Sequence, residues 1–104
     1  MQDFHNLNVW KNSHTLTLGI YKATKAFPKH ELFGLTSQIQ RAAVSIPANI
    51  AEGCGKATDA DFARYVQISM GSSSELEYLL LLAHDLDYLS DESYTTLATL
   101  LIQV

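Results

Sequence analysis

Leu32-Phe33-Gly34-Leu35-Thr36-Ser37-Gln38-Ile39-Gln40-Arg41-Ala42-Ala43-Val44-Ser45-Ile46-Pro47-Ala48-Asn49-Ile50 is the stretch whose reading decides the fold. Leu32, Leu35, Ile39, Ala42, Ala43, Ile46 and Ile50 recur at steps of three and four residues, which is the spacing of one helix face. Gln38, Arg41, Ser45, Asn49 and Glu52 fall on a polar face, and Phe33 and Val44 make a smaller apolar patch to one side. The pattern predicts a helix over about 29–52, with Pro28 at its first position, where a missing N–H costs nothing. Pro47 is the irregularity: it cannot donate to the Ala43 carbonyl and its ring crowds that turn, so a kink is expected. Asn49 can bond backbone groups that Pro47 frees, and Glu52 can pair with Lys56 if the helix persists. Gly53 and Gly55 should then stop the helix by taking the left-handed cap conformation.

Three further segments carry the same period. In 7–26, Val9, Leu16, Ile20, Ala23 and Phe27 share a face, Trp10, Thr17 and Tyr21 flank it, and Lys11, Lys22 and Lys25 lie opposite. In 59–88, Thr58 is a candidate cap with Asp61 three residues on, and Phe62, Tyr65, Val66, Ser69, Ser73, Leu76, Leu80 and Ala83 share a face. Gly71-Ser72-Ser73-Ser74 interrupts that segment with poor helix formers, which suggests that another helix approaches closely there. In 91–104, Ser90 caps a stripe of Tyr94, Leu97, Leu100, Leu101 and Val104. Four helices with short connections predict one domain, 1–104: an all-α, up-down-up-down antiparallel four-helix bundle. Around Leu76–Leu89 the third helix is apolar nearly all round. A helix apolar on every side is buried on every side, so Leu79, Leu81, Leu82 and Leu86, with Phe33 and Val44, are candidates for contacts between copies of the chain.

The composition suits a globular protein: 47% hydrophobic and 17% charged in 104 residues leaves too much apolar surface for a disordered chain. A lone cysteine, Cys54, cannot form an internal disulfide, which fits a reducing compartment. With no signal-peptide pattern and no apolar run long enough to span a bilayer, the expected location is cytoplasmic. The formal charge of −4 is unevenly spread. All seven Lys and Arg lie in residues 1–64, and residues 65–104 carry six carboxylates and no basic side chain. Net acidity argues against avid non-specific nucleic-acid binding, while a local basic face stays open.

No constellation for catalysis is apparent. Gly53-Cys54-Gly55-Lys56 is too short for a phosphate loop. His5, His14, His30 and His84 have no second ligand at metal spacing. His84 and Asp85, as helix neighbours, point about 100° apart. Cys54 sits at a helix C-terminus, where the dipole raises a thiol's pKa. The expectation is no enzyme, no cofactor, no metal and no small-molecule substrate. What remains is surface: Lys11, Lys22 and Lys25 on the first helix, and Arg41, Lys56 and Arg64 around the second and third, are either phosphate contacts or ordinary solvated faces. Trp10, Tyr21, Phe62 and Tyr65 could stack on bases, although they stand at core spacing.

Phe27-Pro28-Lys29-His30-Glu31-Leu32-Phe33-Gly34-Leu35 and Gln38 through Gly53, with Arg41-Ala42-Ala43 and Asn49-Ile50-Ala51-Glu52-Gly53, resemble the helix 1–2 turn and helix 2 of a known family. Leu7-Asn8-Val9-Trp10-Lys11 and Gly71-Ser72-Ser73-Ser74-Glu75-Leu76 fit the same pattern, so the resemblance spans nearly the whole chain. The family is that of bacterial four-helix-bundle proteins encoded in intervening sequences of large-subunit rRNA genes, together with the accessory variability determinant of diversity-generating retroelements. The resemblance implies a homo-oligomer in the form of a pentameric ring. In the retroelement branch it implies binding to RNA or DNA and to a reverse transcriptase. Gln40 stands where the family often has a basic residue, and Lys56 is alone after the glycines. The competing expectation is an oligomeric scaffold that binds only protein.

Overall fold

The computed structural model describes residues 2–104. After a short 3₁₀ turn at Phe4–Asn6, α1 runs Asn8–Thr24, α2 Leu35–Cys54, α3 Asp59–Asp85 and α4 Asp91–Ile102. Each helix touches the next, and α4 returns to α1, so the four stand at the corners of a square. Cross-contacts show the antiparallel sense. Thr17 meets Ala43, Thr24 meets Gln40, Ile46 meets Ser69, and Asn12 meets Gln103. The fold is the all-α, up-down-up-down bundle that the periodicity predicts.

The centre is made of Leu16 and Ile20 from α1, Ile39 and Ile46 from α2, and Leu76 and Leu80 from α3, all fully or almost fully buried. Leu97 and Leu101 close it from α4. The fit is uneven in length. α3 has 27 residues and α4 has 12, or about 40 Å against about 18 Å at 1.5 Å per residue. α4 therefore covers less than half of α3, and the molecule measures 44 × 24 × 18 Å.

α2 begins later than the pattern suggests. Lys29–Glu31 is a 3₁₀ turn, and Gly34 (φ −112°, ψ −112°) precedes the first helical residue, Leu35. The Glu31 carboxylate accepts the Leu35 N–H at 3.2 Å and so supplies the cap. Leu32 consequently falls outside the helix and is exposed.

α2 continues through Pro47. The carbonyl that Pro47 cannot serve, Ala43, lies 3.2 Å from the Thr17 hydroxyl of α1, whose single proton it shares with the nearer Ser13 carbonyl at 2.8 Å. On the other side the Ser69 hydroxyl of α3 donates to the Ile46 carbonyl at 2.9 Å. Asn49, expected at the freed group, donates instead to the Ser45 carbonyl at 2.8 Å. Glu52 and Lys56 do not pair: the ion pairs among the described residues all involve histidine.

The glycines act differently from their sequence reading. Gly53 lies inside α2, and Gly55 caps it with a right-handed φ of −82°. Gly53 is needed for proximity, since a Cβ there would stand 2.9 Å from the Tyr65 Cβ on α3. Gly71, expected at a close helix approach, has nothing within 4 Å, and its neighbours Ser69 and Ser72 make the contact. The left-handed cap belongs to Asp87 (φ 63°) after α3. There the Tyr88 N–H donates to the Ala83 carbonyl and the Asp87 N–H to the His84 carbonyl, which is the Schellman pattern. The two caps read from sequence are in place: the Thr58 and Ser90 hydroxyls accept from Asp61 N and Ser93 N.

Two predictions follow from this packing. Gly71→Ala should raise unfolding stability by about 1 kcal/mol, because an open helical position gains propensity, whereas Gly53→Ala should lower it; denaturant midpoints measure both. Thr17→Val keeps the shape but leaves the Ala43 carbonyl unpaired, and the same titration should show a loss of roughly 1–3 kcal/mol.

Candidate nucleic-acid interface

The six basic residues singled out by sequence do not form one patch. Lys11, Lys22 and Lys25 lie along the solvent face of α1. Each helical residue turns about 100°, so Lys11, Leu18, Lys22 and Lys25 make one strip and Trp10, His14 and Tyr21 the strip beside it. From Phe4 to His30 the chain carries four lysines and no carboxylate. That acid-free run was visible in the sequence but was diluted by counting charge over half the chain.

The ring strip is more exposed than core spacing suggests. Tyr21 is 44% exposed. Trp10 is half-buried beneath a parallel stack with the exposed His14 ring, 5.0 Å between centroids and 8° between planes. Phe4 and His5 close the other side of the indole, at 4.9 and 5.5 Å. Asp3 holds that segment by accepting from the His5 ring at 2.7 Å, and this bond keeps its carboxyl below the usual range.

Lys56 and Arg64 form a second group. Both stand over the Tyr65 ring, 5.2 and 5.3 Å from its centroid. Arg41 is apart from both, in a cleft of about 390 Å³ between α2 and α3 with Gln38, Ser45, Ser72 and Glu75. The Ser45 and Ser72 hydroxyls bond each other at 2.7 Å and close its base.

The residues expected at contacts between copies also divide. Leu79 is 5% exposed and belongs to the bundle's own core, because α3 turns it toward the centre with Leu76 and Leu80. Leu82 is half-buried against that core. Leu81, Leu86, Val44 and Phe33 are exposed, Phe33 to 94%. A groove of about 460 Å³ runs between α3 and α4, with Tyr78, Leu81, Tyr94 and Ile102 among its walls and Glu77 at its edge. Tyr78 and Ile102 were not anticipated; the weak amphipathicity of α3 hides which way Tyr78 points, and Ile102 ends α4 beside its predicted stripe.

The groups weighed for catalysis have structural positions. His84 Nε2 contacts the Asp91 carboxylate at 2.7 Å while its ring stacks on Tyr94, which joins the end of α3 to the start of α4. Cys54 is buried, and burial raises its thiol pKa, with Asp3 adding to the effect. No group of three or more His, Cys, Asp or Glu converges as metal ligands among the described residues. Among the same residues no helix is long and apolar enough to cross a membrane.

Glu31 holds the α1–α2 connection in place. It accepts from Leu35 N at one oxygen and from the Tyr88 hydroxyl at the other, at 2.9 Å. These two bonds, the backbone one foremost, lower its pKa, and the same contact raises that of Tyr88. A carboxyl lowered on folding contributes stability above its ordinary range and loses it as pH falls through its folded value. Unfolding midpoints measured from neutral to acid pH should therefore fall less steeply in Glu31→Gln than in the parent.

These features define a small helical-bundle protein whose distinguishing surface is a one-sided cationic and aromatic helix. The sequence profile of the family described as 23S rRNA-intervening sequence protein matches residues 5–104. The chain belongs to that family. No curated protein matches the chain in sequence.

Proposed function

We propose that this chain is a non-enzymatic RNA-binding protein that lays α1 along RNA and assembles with copies of itself through the α3–α4 groove. The observation that carries the RNA reading is the run from Phe4 to His30, with Lys11, Lys22, Lys25 and Lys29 and no carboxylate. At physiological ionic strength charges are screened beyond about 8 Å, so a phosphate at α1 responds to that helix more than to the net charge. Trp10, His14 and Tyr21 add rings on which bases can stack. Lys56 and Arg64 offer a second, smaller contact.

Assembly is supported by the exposed Tyr78, Leu81 and Ile102 along the α3–α4 groove. Residues 65–104 have six carboxylates and no Lys or Arg, so two such faces would repel each other. The same face set against the basic half of a neighbour is complementary. Head-to-tail contacts close into a ring when the rotation between copies permits it, and the pentamer implied by the resemblance is such a ring. A reverse-transcriptase partner rests on the resemblance alone, as does a location in the cytoplasm on the sequence pattern.

Fluorescence anisotropy of a labelled RNA, titrated at low and near-physiological salt, tests the RNA reading. Binding should weaken steeply with salt. Lys22→Gln with Lys25→Gln should reduce the log–log slope by about 0.7 per lysine on a single strand. No binding at low salt would leave the protein-only scaffold as the better account.

A further inference from the structure

We propose that the groove between the end of α1 and the start of α2 is a nucleobase pocket, so that RNA held by α1 is single-stranded there with one base turned into the protein. This rests on the reading of the chain as an RNA-binding protein and adds the form of RNA it selects.

The groove has a volume of about 300 Å³, at the small end of the range for ligand sites. Its walls include Tyr21 and Leu32, apolar surfaces left exposed although a buried core stood available to both segments. Leu32 is there because Gly34 and the Glu31 cap delay α2, which places the 3₁₀ turn and the residues after it beside α1. The bottom is polar and fixed. Thr24 is buried, and its hydroxyl lies 2.9 Å from the Ile20 carbonyl, to which it donates. Gln40 Nε2 donates to that same hydroxyl oxygen at 3.1 Å. Among the described residues this is the one hydrogen bond the Gln40 side chain makes. Its carbonyl oxygen and second N–H stay free, an adjacent acceptor and donor of the kind a base edge answers.

The mouth is cationic. Lys25 and Lys29 are exposed at the rim, and Lys22 lies one turn back on the same strip of α1. No Asp or Glu lines the groove. A flat apolar slot with one donor–acceptor pair inside and ammonium groups at the opening fits a heteroaromatic ring attached to phosphates. A fatty chain would leave the amide of Gln40 unanswered, and an acidic peptide would leave the Tyr21 and Leu32 walls uncovered. Paired bases in an A-form duplex are stacked and cannot enter, so the pocket discriminates by strandedness.

The test compares a short labelled single-stranded RNA with the same strand annealed to its complement, by anisotropy at low salt, for the parent, Tyr21→Ala and Gln40→Met. Tyr21 and Gln40 lie outside the central core, and circular dichroism verifies that the variants fold. The expected result is tighter binding of the single strand. Tyr21→Ala should lose about 5- to 100-fold of that affinity, as the removal of one stacking ring does. Its salt slope should be unchanged, and Gln40→Met should weaken the single strand but not the duplex. If single strand and duplex bind alike and Tyr21→Ala matches the parent, the pocket is wrong while RNA binding by α1 stands. If neither RNA binds at low salt, both readings fall.

Discussion

The bundle depends on how α2 satisfies its backbone at Pro47. A proline in a helix interior removes one donor and crowds the carbonyl four residues back, a defect of about 3 kcal/mol when nothing compensates it. Here the orphaned Ala43 carbonyl shares the Thr17 hydroxyl with the Ser13 carbonyl, and one turn on the Ile46 carbonyl, which Pro47 does not orphan, takes a hydroxyl from Ser69. Both donors are buried, and they come from the two helices that flank α2. These two contacts fix register twice over, α1 against α2 and α3 against α2. Small side chains are required for this. Thr17 and Ser69 reach the α2 backbone only because α1 and α3 stand close, and Gly53 permits the same proximity lower down.

That register decides what is left on the outside. With Thr17 and Thr24 turned toward α2, and Gly19 facing Leu97 of α4, the arc of α1 holding Trp10, His14 and Tyr21 and then the lysines must face solvent. On α3 the face with Ser69, Leu76 and Leu80 is committed to the core, which sends Tyr78 and Leu81 to the groove beside the short α4. The two surfaces given roles in the proposal are thus consequences of the same constraint.

The sequence made the four helices, their order and most of the core legible, since apolar residues at three- and four-residue steps have few other solutions. Leu16, Ile20, Ile39, Ala43, Ile46, Leu76 and Leu80 are where the period places them. What was not legible turned on contacts between elements. Gly53 and Gly55 look like helix stops, but the chain spends one on proximity to Tyr65, while an aspartate, Asp87, takes the left-handed position that glycine usually fills. Leu79 and Leu81 look equivalent in a run of leucines, and one lies in the core while the other faces the groove. The late start of α2 depends on a carboxylate reaching forward from Glu31, which no periodicity reports. For the candidate interface, the individual lysines were visible; their separation from Arg41, and the exposure of Tyr21 beside them, came only with the fold.

Charge segregation gives the proposal its internal consistency. An acidic protein binds phosphates poorly if its carboxylates share the binding face, and here they do not. Between Asp3 and Glu31 there are none, and Glu31 itself is occupied by Leu35 N and the Tyr88 hydroxyl. Six of the others collect on Glu75, Glu77, Asp85, Asp87, Asp91 and Glu92, along α3, its turn and the start of α4, and the remaining three, Glu52, Asp59 and Asp61, lie in sequence around Lys56 and Arg64. On the proposed reading, a chain with this layout would repel a like copy through its acidic face and attract it through the opposite one. In a closed assembly of such chains, each acidic face would be screened by a neighbour's basic residues. Only α1 residues left outside the contact would then remain cationic toward solvent. Basic residues that serve RNA and basic residues that serve assembly must on this argument be different ones; the α1 strip and the Lys56–Arg64 pair around Tyr65 are separate groups, and the α1 strip is the main RNA contact proposed.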